Sequence, residues 1–209
     1  MLPASPLFRG LPPDAADQLS AAGFLRRKIF SIHEVIFRAG SRVQEIGVVV
    51  KGSVHIENLD LWGTKSILSS VDAGQAFAET YAFCGDTLMV DAVAAEDCEV
   101  LFLHTGALSD SRVPAGVRGT LLHNLLTVSM RKNLSLSQRI FCTTPKTVRG
   151  RLLTYFSAQA AKADSPEFEI PFNRQQMADY LNLDRSALSK ELGRMRTKAC
   201  WNLKRTILF

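Results

Sequence analysis

The sequence predicts an α+β chain in three parts: a sandwich or barrel of short strands, a long helix, and a helix-turn-helix at the C-terminal end. Three observations carry this prediction. Between about Arg26 and Thr105, short β-branched runs alternate with turn glycines, the texture of a small all-β domain. After Val113-Pro114, apolar residues recur at helical steps as far as Phe141. From Asn173 to Lys198, two short amphipathic patterns flank Asn182. The expected boundaries are 1–112, 113–142 and 143–209.

The N-terminal part opens with Pro12-Pro13-Asp14 before Ala15, Ala16, Leu19 and Ala22, which reads as the start of a short helix. Strands follow at Val35-Ile36-Phe37, Ile46 to Val50, Val54 to Ile56, Ala92 to Ala95 and Val100 to Leu103. Gly40, Gly52, Gly63 and Gly74 mark the turns between them.

In the long helix, Leu122, Leu126, Ser129, Asn133, Leu136 and Ile140 step by four and three, a heptad seam. The seam either packs on its own β-domain or pairs with the same helix of a second subunit. A helix near 28 residues is about 40 Å long and exceeds what a small β-domain covers, so the homodimer is the preferred reading. Ser129 and Asn133 would then set register at some cost in stability.

Thr143-Thr144-Pro145 breaks the pattern and reads as a hinge or a new helix start. A further helix runs from Lys146 to about Lys162 with Val148, Leu152, Leu153 and Phe156 on one face, and Phe168-Glu169-Ile170 reads as a strand. Asn173, with Gln176 three residues on, is a capping-box variant that opens the first helix of the helix-turn-helix. Asn182 tolerates the left-handed conformation of a tight turn. Asp184 is placed to N-cap the second helix, whose inner face is Leu188, Leu192 and Met195.

Charge follows this organisation. Residues 143–209 hold 12 lysines and arginines against 6 acids, whereas residues 1–142 hold 13 against 14. A polyanion should meet the C-terminal third. The outer face of the second helix carries Arg185, Ser186, Ser189, Lys190 and Arg194, the positions a helix entering a major groove presents to bases. Arg174 and Gln175, at the start of the first helix, are candidates for phosphate contacts. The bland alternative is a helical hairpin with a solvated basic face.

No apolar run reaches the roughly 20 residues that span a bilayer, and the N-terminus lacks a signal-peptide pattern, so a cytoplasmic protein without membrane contact is expected. Cys84, Cys98, Cys142 and Cys200 are scattered, with no C-x-x-C pair, and read as free thiols. No metal site is expected. Nucleophile–base pairs and phosphate loops are absent, so an enzyme is not expected.

The order of parts resembles the CRP/FNR family of bacterial regulators over nearly the whole chain. The strongest stretches are Ile36 to Gly40, Ile46 to Val54, and Asn173 to Leu192. The resemblance implies a jelly-roll β-barrel sensor domain, a dimerisation helix that touches an effector, and a winged helix-turn-helix. It also implies double-stranded DNA with two-fold related half-sites as the target, and RNA polymerase as a further partner. Family members that bind cyclic AMP carry Gly-Glu followed by an arginine that holds the cyclic phosphate. Here Glu79 is kept, Met89 or its neighbour stands at the arginine position, and no Lys or Arg lies between Lys65 and Arg112. The expectation is therefore a small-molecule effector other than cyclic AMP, held by Phe77, Ala78, Glu79, Tyr81, Met89 and Val90 with Leu136 and Ser137 of the dimer helix. A filled, ligand-free cassette is the alternative.

The iron–sulfur mechanism of that family does not carry over, because no cysteine precedes Cys84. His33, His55, His104 and His123 read as surface or core residues, so haem is not expected. After Lys198 the family's glycine is absent. A turn near Asn202 or Lys204-Arg205 would leave a shortened wing, with Lys204 and Arg205 as phosphate contacts. The competing function is a ligand-binding or haem-sensing module whose basic helical domain docks a protein.

Overall fold

Strands that are buried on both faces organise the N-terminal half. The structure, a computed structural model, describes residues 1–59, 65–197, 203–204 and 207–208. Its contacts divide the chain into two units, Met1–Arg131 and Lys132–Phe209.

The first unit begins with α1 (Ala15–Ala21). Strands β1 (Leu25–Phe30), β2 (Val35–Phe37), β3 (Glu45–Lys51), β4 (Ser53–Leu59), β5 (Lys65–Asp72) and β6 (Ala76–Phe77) follow. Then come α2 (Glu79–Cys84), β7 (Asp91–Ala94), β8 (Cys98–His104) and the long helix α3 (Ala115–Thr143). Two antiparallel four-stranded sheets form, in the orders β1-β8-β3-β6 and β2-β7-β4-β5. They share a core rather than closing into one barrel. On β8, Val100 and Phe102 point to the inter-sheet core with Val54 and Ala92, while Leu101 and Leu103 point to a second core with Leu19 and Leu121. The alternation of strand side chains thus buries both faces of β8.

Close packing leaves β3 no room for a side chain at Gly47. Its register partner is Phe77, and a Cβ there would lie 2.3, 2.5 and 2.8 Å from three atoms of the Phe77 ring. That ring is itself held against Phe37 at a 5.8 Å centroid distance.

Helix α3 has two kinds of surface. Val117, Leu121 and Leu125 are buried against the sheet and α1. Leu122 and Leu126 are 47% and 57% exposed, and Leu136 and Ile140 are 60% and 66% exposed. Asn133 is exposed and Ser129 half-buried. The residues that bury the helix are therefore not those of the heptad seam, which stays open along its apolar positions.

The second unit takes in the end of α3 and continues with α4 (Val148–Ala163), β9 (Phe168–Glu169), α5 (Arg174–Leu181), α6 (Arg185–Thr197), β10 (Leu203–Lys204) and β11 (Ile207–Leu208). Its core joins Cys142, Leu152 and Phe156 to Met177, Ala178, Leu181, Leu188 and Met195. One expectation is corrected here. Leu153 is 37% exposed, and Tyr155 takes its place on the buried face of α4. At about 100° per residue, position 155 falls beside 148 and 152, whereas 153 has rotated away. Burial pushes the Tyr155 phenol up to about 12, and its ring meets those of Phe156 and Tyr180.

Capping decides where the two short helices start and stop. Asn173 and Gln176 exchange side-chain-to-backbone hydrogen bonds, both 2.9 Å. Asn182 ends α5 in the left-handed region at φ 52°. Asp184 Oδ1 then accepts from the backbone N–H of Ser186 and Ala187, both at 2.9 Å, and from the Ser186 hydroxyl. These bonds, the Ser186 hydroxyl first, hold the Asp184 carboxyl below its ordinary value.

Two outcomes are expected. Gly47→Ala should destabilise the first unit by about 1–3 kcal/mol through overpacking against Phe77, read in urea unfolding. Because the folded Asp184 pKa is depressed, its cap contributes fully above the unfolded value of about 3.9 and is lost as pH falls below it. Thermal melts from pH 7 to 3 should show Asp184→Ala less stable at neutral pH. Asp184→Asn should keep the cap and flatten the acid loss.

Candidate nucleic-acid interface

The inner face of α6 is fixed by burial, and that fixes which residues face out. Leu188 and Met195 are wholly buried, and Leu192 is 2% exposed. The opposite face presents Arg185, Ser186, Ser189, Lys190, Arg194 and Arg196, all exposed. Ala178 of α5 is fully buried. A small residue there lets the two helices approach closely, and Leu183 closes the turn with an N–H bond to the Ala178 carbonyl at 2.8 Å.

The structure brings Arg174 at the start of α5 together with Arg185, Ser189, Gly193 and Arg196 of α6. They line a shallow groove of about 320 Å³ with Leu192 at its base. No ion pair engages Arg174, Arg185, Lys190 or Arg196 among the described residues. Three guanidinium groups around one groove, free of acidic partners, form a site for anionic oxygens. Gly193 lies on the open side of the groove, where a Cβ would meet nothing within 4 Å.

Other expected site residues are placed differently. Gln175 bonds Asp179 of its own helix at 2.9 Å. The Ser186 hydroxyl is donated to Asp184. Arg194 pairs with Glu191 at 3.5 Å, and the same carboxylate meets Arg149 of α4 at 3.9 Å, which ties α6 to α4. Strands β10 and β11 pair antiparallel, and β11 pairs with β9, so two short strands flank residues 205–206. Lys204 lies on β10, and Arg205 lies outside the described residues.

Arg196 is a groove residue that the reading of the sequence missed. Its signal was present: it follows Arg185 by about three helical turns, on the same face. Arg139 and Arg151 were missed as well, and for them no local pattern exists. Arg139, in the last turns of α3, donates to the Asp179 and Tyr180 carbonyls, both at 3.0 Å. Arg151 of α4 donates to the Leu181 and Asn182 carbonyls at 3.1 and 2.7 Å, and to Pro145 at 2.8 Å.

In the first unit, the cassette residues fall into two groups. Phe77 and Glu79 are 2% and 5% exposed, and Ala78 packs beside the inter-sheet core. Ala78 has φ 59°, a conformation that favours glycine, and it directly precedes α2. Tyr81 and Val90 are half-buried, and Met89 is 76% exposed. The fold also brings the exposed Arg42 beside the cassette through a backbone bridge to Thr87. Leu136 and Ser137 belong to the second unit and are exposed. No group of three or more His, Cys, Asp or Glu is arranged to hold a metal among the described residues.

Residues 27–110 match the cyclic nucleotide-binding domain family. The cyclic AMP receptor protein of Thermus thermophilus is 31% identical over 99 residues, which spans 47% of this chain and 45% of that relative. The crystal structure of the Thermus thermophilus catabolite activator protein aligns over 98% of this chain and 92% of its own, with a TM-score of 0.51 at 22% identity. A CprK structure complexed with OCPA aligns over 91% of this chain and 88% of its own, with a TM-score of 0.67 at 11% identity. These two structural likenesses show the shared fold. Residues 27–110 are thus similar to a cyclic nucleotide-binding domain, and the chain, with its long helix and C-terminal helix-turn-helix, shares the fold of these two structures.

Proposed function

We propose that this protein is a sequence-specific DNA-binding transcriptional regulator that works as a homodimer. The observation that carries the reading is the outer face of α6, where Arg185, Ser189 and Arg196 join Arg174 around one groove with no acidic partner. A helix so fixed on its inner face and so basic on its outer face suits the major groove of B-DNA. Arg185, Ser186, Ser189 and Lys190 read bases in this proposal. In this proposal Arg174, Gln175, Arg194, Arg196, Lys204 and Arg205 contact phosphates.

The dimer forms along Leu122, Leu126, Ser129, Asn133, Leu136 and Ile140. Their open apolar positions on α3 support it. Two copies then meet two half-sites about 34 Å apart.

The cassette of the first unit holds a small-molecule effector other than cyclic AMP, with Tyr81, Met89 and Val90 at its accessible edge. The arginine position of the cyclic-phosphate clasp is filled by Met89 or its neighbour, which supports this assignment. An effector acts by binding two DNA-reading arrangements with different affinity.

Binding to duplexes selected from a random pool tests the reading. Wild-type affinity should fall steeply with salt, and Arg174→Ala should lower the log–log slope by about 1. Arg185→Ala should relax sequence preference at one base pair by about 1–3 kcal/mol. No retention on duplex at low salt would instead support docking of a protein partner by the basic unit. For the dimer, Leu122→Glu with Leu126→Glu leaves helix propensity intact and should yield monomers in sedimentation equilibrium. A dimer of unchanged strength would remove α3 from the interface.

A further inference from the structure

The C-terminal end of α5 is closed by two arginines from outside the helix-turn-helix. A helix leaves its last four carbonyls without intrahelical partners. In α5 the carbonyls of Asp179, Tyr180, Leu181 and the cap residue Asn182 are all taken by guanidinium groups. Arg139 holds the first two and Arg151 the second two. Two positive charges therefore stand at the negative end of the helix dipole. The planar guanidinium reaches two carbonyls at once, which the ammonium of a lysine does not do in the same geometry.

These bonds cross the proline break. Arg139 precedes Thr143-Thr144-Pro145 in the chain, and its partners lie beyond it. The break is tied down throughout. Thr143 and Thr144 hydroxyls bond back to the Arg139 and Ile140 carbonyls at 2.8–3.1 Å. Cys142 is 2% exposed within the core of the second unit. The Pro145 carbonyl accepts from Arg151. Gly150 lies so close to the break that a Cβ there would come within 2.9 Å of Thr147 Oγ1 and 3.0 Å of Pro145 Cβ. Further upstream in α3 the situation reverses. Every residue from Met130 to Phe141 is exposed, and the division between the two units falls at Arg131 and Lys132.

We propose that Arg139 and Arg151 are positioning residues for DNA reading, which cap α5 and fasten the last turns of α3 to the helix-turn-helix. Residues 139–197 then move as one body. The clamp, rather than the proline ring, then holds the Thr143–Pro145 corner. This inference rests on the DNA-reading assignment only in its binding arm.

The test uses the full-length chain with Arg139→Gln, Arg139→Lys, Arg151→Gln and Pro145→Ala. Two quantities are read: amide hydrogen exchange at Asn182 and Leu183, which close the α5 turn, and affinity for the duplex that the wild-type chain selects. Arg139→Gln and Arg151→Gln should speed exchange about tenfold and weaken binding about three- to tenfold, since each removes charged hydrogen bonds. Arg139→Lys should recover part of both, which a purely steric role would not allow. Pro145→Ala, which removes the ring but leaves the Pro145 carbonyl and the clamp in place, should leave both within about twofold. Wild-type exchange and affinity in Arg139→Gln, or a large loss of affinity in Pro145→Ala, would overturn the proposal. Should Arg139→Gln fail to fold, Arg139→Lys and Arg151→Gln decide by the same readouts. A wild-type chain that selects no duplex would refute the DNA-reading assignment, and the exchange arm would still decide the clamp.

Discussion

The left-handed turn at Asn182 is the constraint on which the C-terminal unit depends. It reverses the chain between α5 and α6 in three residues and so sets how the two helices cross. Ala178 must then be small, Leu183 must fill the corner, and Leu188 must be buried, because the helices come too close for anything larger or polar. Once the inner face of α6 is buried, its outer face is determined. Arg185 and Ser189 are brought to Arg174 by packing and not by attraction, since three guanidinium groups repel one another. Part of the cost of assembling that basic groove is offset by the buried apolar contacts beneath it.

The N-terminal unit rests on a comparable restriction. Strands β3 and β8 are buried on both faces, which leaves little tolerance at their contacts. Gly47 is the tightest example, with Phe77 occupying the space of its missing side chain. The same ring anchors the start of the cassette. Ala78 follows it in the left-handed region and turns the chain into α2. A packed core thus directs the backbone where β6 passes into α2. The ring that does so is spent on the core, and Tyr81, Met89 and Val90 remain as the accessible positions.

Helix α3 connects the two themes through a division of its faces. Val117, Leu121 and Leu125 serve the fold of the first unit. The apolar residues one position on, Leu122 and Leu126, stay exposed. Near its end the helix changes role again, and Arg139 satisfies the carbonyls of α5. A single helix therefore carries a packing face, an open seam and a cap for another helix.

Much of this was legible in the sequence. The capping box at Asn173, the turn at Asn182, the cap at Asp184 and the outward positions Arg185, Ser189 and Lys190 all follow from local rules, because helix periodicity and capping act over a few residues. The strand texture and the seam of α3 were readable for the same reason. What local rules did not reach was decided by contacts between distant residues. The pairing of Gly47 with Phe77, the bridge of Arg42 to Thr87, the rotation of Leu153 out of the core and the Arg139–Arg151 clamp on α5 are of this kind. An arginine that caps another helix carries no signature in its own neighbourhood, and only the tertiary structure could place it.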